Sequence, residues 1–352
     1  MRWNETALTK RLGIQYPIIQ APMAGGGSST ELVAAVSNAG GLGMFAGGML
    51  SAEQLAAGIE QVRARTTKPF GVNLLLVDEQ TVDPAQVDRA HRAMQGIRDE
   101  LGIETLPTLP APPVPLDAAM EVIVNARPAV FSFTFRMLHD AWISRLHDAG
   151  IVVIGTATSV AEAIALEDAH IDAVVAQGSE AGGHRGTFLG SCENSLVGTT
   201  ALVPETRDAV RIPVIAAGGI MDARGIRSAL ALGADAVQMG TAFLATPESG
   251  VSPAYKQALR SAKRDSTILT RTYTGRMARG VRNRFMDEMR PFEPDLPPYP
   301  IQNALTLDIR QAAARLGNAD LLPLWAGQGV ALIQDRPAAE LIAQWVREME
   351  AA

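Results

Sequence analysis

The segment Val175-Ala-Gln-Gly-Ser-Glu-Ala-Gly-Gly-His-Arg-Gly186 runs from an apolar stretch into a glycine-rich bend that presents one imidazole, His184. An apolar strand ending in a polar, glycine-bent loop is where an α/β protein places its chemistry. With a reference pKa of about 6.5, an imidazole there can be neutral and take a proton, or cationic and hold an anion. The residues leave both roles open, beside the plainer alternative of a surface histidine in a tight turn.

The ends of the other apolar runs carry Gln20, Asn73, Thr134, Thr156, Gln177, Gln238 and Thr241, almost all neutral amides and hydroxyls. The nearest carboxylates are Glu180 and Asp222, too few for a hard-metal site, and the five histidines show no zinc spacing. The four lysines (Lys10, Lys68, Lys256 and Lys263) do not follow barrel strands, which argues against a Schiff-base enzyme. There is no G-x-S-x-G elbow, no Walker lysine after Gly25-Gly26-Gly27, and no G-x-G-x-x-G after a strand. Neutral amides suit a flat heterocycle with alternating donors and acceptors, such as the pyrimidine edge of a flavin. Glycines in Ala216-Ala-Gly-Gly219 and Gln238-Met-Gly-Thr241 would let backbone N–H groups approach a phosphate.

Eight short apolar runs must position these groups: 17–20, 42–46, 70–75, 130–135, 152–156, 173–178, 213–219 and 236–243. Helical patterns separate most of them, among them 30–38, a helix opened by the capping box Ser51-Ala-Glu-Gln54, one opened by Ser159, and 221–232. Parallel strands need such crossovers, so the pattern predicts an α/β fold, a (β/α)8 TIM barrel. Residues 1–77, 115–244 and 325–352 would form the barrel, and 78–114 with 245–324 a mainly helical lid or substrate subdomain. The first insertion ends in a proline-rich linker from Pro107 to Pro115, and the second holds Arg271, Arg276, Arg279, Arg282 and Arg284, expected as a solvated helix face.

A net charge of −6 argues against nucleic acid or an anionic membrane as partner. One cysteine, Cys192, precludes an internal disulfide and fits a reducing compartment. With no signal core and no membrane-length apolar run, the expectation is a cytoplasmic protein, monomeric or homodimeric.

The chain resembles the class I nitronate monooxygenases, formerly 2-nitropropane dioxygenases, over essentially its full length. The matching segments are Pro17-Ile-Ile-Gln-Ala-Pro-Met-Ala24, Glu31 to Gly43, Phe70-Gly-Val-Asn-Leu74, Ser132-Phe-Thr-Phe135, Ala176 to Gly186, Pro213 to Ile220 and Gln238 to Leu244. The resemblance implies non-covalent FMN, no metal, and oxidation of alkyl nitronates such as propionate 3-nitronate by O2 to carbonyl products with nitrite or nitrate. It implies that Asn73, Gln177, Gly182, Gly183, Gly218, Gly219, Gln238, Met239, Gly240 and Thr241 hold FMN. It further implies that Ala21, Pro22 and Met23 pack beside the ring, that Gln328 and Gly329 close over it, and that His184 acts as base or substrate-orienting group. Arg136 stands where glycine is expected. A flavin-dependent NAD(P)H:quinone reductase is the nearest alternative; relatives of that kind tend to carry a Cys-Ala-Gly-His-Pro loop where this chain has Glu180-Ala-Gly-Gly-His-Arg185. A nucleophilic Cys192 on an IMP-dehydrogenase-like barrel, or a flavin module without turnover, are further alternatives.

Overall fold

The computed structural model describes residues 2–78, 80–107 and 116–351, so the proline-rich linker lies outside the described residues from position 108 onward. The strands in chain order are β1 (Ile18–Gln20), β2 (Gly43–Ala46), β3 (Phe70–Leu75), β4 (Val130–Thr134), β5 (Val152–Ala157), β6 (Ala173–Gln177), the two-residue β7 (Gly183–His184), β8 (Val214–Ala217), β9 (Ala236–Met239), β10 (Thr267–Thr270) and β11 (Ala278–Val281). Eight of them form one parallel sheet in the order β1-β9-β8-β6-β5-β4-β3-β2. The ring closes where Gln20 N–H donates to Leu42 O and Leu42 N–H to Ile18 O, both at 2.9 Å. The result is a TIM-type (β/α)8 barrel, without an edge of unpaired backbone groups.

Strand periodicity divides the side chains between two cores. Ile18, Val72, Phe131, Val153, Val174, Val214 and Val237 face the surrounding helices, while Ile19, Met44, Val130, Ile154, Val175, Ile215 and Ala236 fill the interior. Leu8, Leu12 and Ile14 join the interior cluster, so the helix Ala7–Leu12 plugs the N-terminal mouth. Only the C-terminal mouth remains for chemistry. Helices pack tightly on the sheet: a Cβ on Gly43 would sit 2.1 Å from Val33 O. Thr30–Asn38, Ala52–Arg63 and Val160–Asp168 begin at capping residues Ser29, Ser51 and Ser159, and Ser51 and Gln54 form the reciprocal box.

Several boundaries differ from the sequence pattern. The helix expected from Met221 runs Ala223–Ala231, because the Asp222 carboxylate accepts from the Arg224 and Gly225 N–H groups and caps it. The seventh barrel strand leaves the sheet at Gly218 (φ +124°) and Gly219 (φ +71°), values outside β space. The eighth ends at Met239, and the chain turns at Gly240 into a helical turn, Thr241–Leu244.

The segment after β9 is tied to the His184 loop by strand pairing. β10, β11 and β7 form an antiparallel sheet in which Ala278 pairs with His184 and Arg279 with Gly183. A separate apolar cluster joins Val87, Met94 and Ile97 of helix Pro84–Leu101 to Tyr273, Phe285, Leu305 and Ile309. The arginine patch is not a solvated helix face. Arg279 lies buried in β11, and the Arg276 guanidinium stacks 3.9 Å over the Phe135 ring. Arg271 and Arg282 pair with Glu193 and Asp287, and Arg284, which does lie on a helix, with Glu100 and Glu288. Among the described residues no helix is long and apolar enough to cross a membrane.

Candidate active site

The C-terminal strand ends enclose a cavity of about 310 Å³, at the lower end of the range for small-molecule sites. The β1 loop contributes Ala21, Pro22 and Met23; β3 contributes Asn73; β4 and β5 contribute Thr134 and Thr156; and β6 contributes Gln177. Gly218 and Gly219 follow β8, while Gln238, Met239, Gly240 and Thr241 come from the end of β9. Gly182, Gly183 and His184 close one side. Gly329 reaches in from the returning segment, but Gln328 is exposed and engages only through its backbone N–H, 2.9 Å from Glu180 O. Gly327 lines the cavity in its place, its N–H donating to Thr241 Oγ1 at 2.9 Å. Gln20 is spent in the barrel wall, where its amide donates to Ser28 Oγ at 2.7 Å and its oxygen accepts from Met44 N–H. A more open hollow of about 540 Å³ lies around Gln86, Arg271 and Arg290, but no barrel strand reaches it.

The amides retain unused capacity on the cavity side. Asn73 donates to Ser132 Oγ at 2.9 Å and to Ser132 O at 3.2 Å, which leaves Oδ1 without a protein partner. Gln177 ties the β6–β7 loop together, donating to His184 O at 3.1 Å and accepting from Gly186 N–H at 2.8 Å, with one N–H and one lone pair left over. Thr134 Oγ1 is a buried hydroxyl with no partner among the described residues. A Cβ on Gly240 would meet nothing closer than Ala21 Cβ at 3.4 Å, and one on Gly219 nothing closer than Glu180 Cβ at 3.4 Å. Protein packing thus leaves the space before both glycines open, as a ligand lying against their backbone requires. Gly182 differs: its Cβ would fall 2.5 Å from Gly327 N, so the returning chain dictates it. Free amide edges, an orphaned hydroxyl and open glycine loops fit a flavin ring with a phosphate tail.

His184 is wedged, rather than standing at a loop tip as the glycine-rich sequence suggests. Its ring lies 5.6 to 5.7 Å from those of Phe135, Tyr299 and Trp325, and its Nε2 is 2.9 Å from Thr274 Oγ1. Burial, then the guanidiniums of Arg276 and Arg310, push its pKa down to about 3, so the imidazole is neutral at ordinary pH. Phe135 adopts φ +89°, a left-handed conformation that a bulky residue reaches only when its surroundings enforce it. The Arg276 stack and the two ring contacts supply that enforcement. Arg136, in the place expected for glycine, turns outward to Asp78 at 2.9 Å.

Arg310 went unnoticed in the sequence, where it is one more arginine on the helical pattern of Leu307–Leu316. Among the described residues it is the one cation with permanent charge that lines the cavity, and no carboxylate lines it. Its Nη2 donates to Asn303 O at 2.6 Å and Asn303 Oδ1 at 3.1 Å, and its Nε to Thr306 O at 3.4 Å. Nη1 has no partner among the described residues. The nearby carboxylates are committed elsewhere: Glu180 accepts from Thr199 N–H at 2.9 Å, Asp222 caps its helix, and Asp308 pairs with Arg98 at 2.8 Å. Tyr255, Tyr299, Asn303 and Trp325 are further lining residues that the strand pattern misses. Cys192 does not line the cavity, and among the described residues no group of three or more His, Cys, Asp or Glu side chains could hold a metal ion.

A parallel barrel whose strand ends present amides with spare capacity and open glycines has the form of a flavin oxidoreductase. Residues 5–348 match the nitronate monooxygenase family model. The chain belongs to the nitronate monooxygenase family. A probable nitronate monooxygenase of Staphylococcus aureus (strain MSSA476) is 44% identical over 349 residues, 99% of this chain and 98% of the relative. The solved nitroalkane oxidase from Streptomyces ansochromogenes superposes with a TM-score of 0.91 at 40% identity, covering 98% of this chain and 99% of that one. FabK from Thermotoga maritima gives a TM-score of 0.77 at 32% identity, covering 99% and 96%. The chain is a nitronate monooxygenase in fold and family, and the family is typically FMN-dependent.

Proposed function

We propose that this chain oxidises alkyl nitronates with O2 on non-covalently bound FMN, releasing a carbonyl product with nitrite or nitrate, and that propionate 3-nitronate is a substrate. The observation that carries this reading is the pairing, in one cavity, of a lone guanidinium with a neutral imidazole and no carboxylate. Such a wall attracts an organic anion and repels none.

Bound FMN would supply the electron-accepting centre and the reaction with O2. The protein's part is to seat and shield. Backbone N–H groups at Gly218, Gly219, Gly240 and Thr241 would take the phosphate. Asn73 Oδ1, Gln177 and Gln238 would meet the polar edge of the ring, with Ala21, Pro22, Met23 and Met239 beside it. Gly182 and Gly183 bring the His184 loop close, and Gly329, with the backbone of Gln328, closes the seat. Arg310 Nη1 would hold the anion, and the rings of Phe135, Tyr299 and Trp325 would keep water from it. An imidazole pushed down to about 3 is a weak base, so nitronates should be used in preference to neutral nitroalkanes. Segments 78–114 and 245–324 act as the lid in this reading, and the enzyme works in the cytoplasm as a monomer or homodimer.

Anaerobic mixing tests the proposal. Propionate 3-nitronate should abolish the oxidised flavin absorbance within a turnover time, while NADH leaves it unchanged, and heat should release FMN rather than FAD. Loss of colour with NADH but not with the nitronate would put the NAD(P)H:quinone reductase reading in its place.

A further inference from the structure

Thr274 lies outside the barrel, in the turn between β10 and β11, with 2% of its surface exposed. Its Oγ1 is 2.9 Å from His184 Nε2 and 3.1 Å from the backbone carbonyl of Arg276, and the Arg276 N–H approaches the same oxygen at 3.4 Å. A hydroxyl has one proton to give. The Arg276 carbonyl has no other donor among the described residues, so turning that proton toward the imidazole would leave the carbonyl unpaired. Giving it to the carbonyl satisfies both groups, and Oγ1 then accepts from an Nε2–H. His184 Nδ1 has no protein partner among the described residues and is not fully sealed, and His184 lines the cavity.

We infer that Thr274 is a positioning residue that holds His184 as the Nε2–H tautomer and presents the bare Nδ1 lone pair to the substrate. In a neutral imidazole, the bond made by one ring nitrogen decides what the other can do. Burial, and then the two guanidiniums near His184, disfavour the imidazolium, so the resting choice lies between two neutral tautomers. With Nδ1 bare, the α-proton of a neutral nitroalkane has an acceptor: the C–H bond breaks, its electron pair forms the nitronate, and Nδ1 carries the proton. A preformed nitronate needs no such step. With the other tautomer the cavity would meet an N–H donor, and that route would close.

The inference rests on the reading of His184 as a substrate-facing group, and its test separates the two. Nitrogen-15 spectra of FMN-loaded protein with labelled histidine report which ring nitrogen is protonated, and with five histidines in the chain His184→Asn assigns the signal. The expected result is a protonated Nε2 and a bare Nδ1 in the wild type and in Thr274→Ser, and a mixture or the opposite tautomer in Thr274→Val. Kinetically, Thr274→Val should lose about tenfold on a neutral nitroalkane and less than about threefold on its nitronate, with Thr274→Ser near wild type on both. A wild type protonated on Nδ1 overturns the inference, as does a Thr274→Val spectrum identical to wild type. A protein that binds FMN but oxidises no nitronate overturns the functional reading instead, and leaves the tautomer result intact.

Discussion

The floor and the outer wall of the cavity are built by different means. The floor sits on barrel strand ends: uncharged amides, hydroxyls and open glycines, held by a closed sheet with filled cores on both faces. The wall comes largely from the segment after β9, which has its own apolar cluster and contributes rings, a buried threonine and a guanidinium. The floor offers many weak, directional contacts to a large planar group, whereas the wall offers one strong charge to something small. In the proposed function, holding the cofactor and choosing the substrate fall to separate pieces of the molecule. Damage to one should leave the other measurable.

The largest effect should come from the wall. His184→Asn is expected to lower turnover of a neutral nitroalkane by about 10²- to 10⁴-fold while retaining FMN, with less than about a tenfold loss on preformed nitronate. Equal losses on both substrates would mean that the imidazole holds the anion instead. Next, Arg310→Met should reduce kcat/KM for propionate 3-nitronate about 100-fold, ~2.7 kcal/mol, at the upper end for a hydrogen bond to a charged group. Flavin content should not change; if it drops in step with activity, the division between floor and wall is wrong. On the floor, Gly219→Val should weaken FMN binding about tenfold or more while the circular dichroism spectrum stays folded, because its side chain would enter the cavity from a positive-φ backbone. Full flavin retention there would place the phosphate elsewhere.

A smaller effect follows from the depressed pKa of His184. The unfolded chain protonates below its ordinary value of about 6.5, but the native chain refuses that proton until about pH 3. The contribution to stability is therefore complete above pH 6.5 and declines as pH falls through that window. Discounted for solvent in the cavity, urea titrations should show about 1 kcal/mol lost between pH 7.5 and 5.5 that His184→Asn does not lose. Matching slopes would show the imidazole to be solvated. Least of all, Cys192→Ala should leave turnover within about twofold, since the thiol lies off the cavity; a loss beyond about tenfold would revive the nucleophile.

The floor was also the legible half. Strand ends repeat, so eight apolar runs are enough to place Asn73, Gln177, Gln238 and the two glycine loops at one mouth of the barrel. The wall gave no comparable signal. Arg310 follows an ordinary helical pattern, and Tyr299 and Trp325 stand near prolines and glycines, which mark turns but not what those turns face. The arginine patch escapes local patterning for the same reason: β11 pairs with two residues of the His184 loop, a long-range contact that no local periodicity records. At the returning segment, spacing alone does not tell Gln328 from its neighbour: the backbone-to-backbone fit at Gly182 sets Gly327 against the cavity, while Gln328 engages through its backbone N–H.

That last fit has a bearing on biosynthesis. Glu180 O receives the N–H of Gln328, and Thr241 Oγ1 receives the N–H of Gly327, so one late segment latches the ends of two barrel strands. On the ribosome every barrel strand is made before the latch exists. A nascent or prematurely terminated chain therefore has the strand ends of the floor without the contacts that close over them.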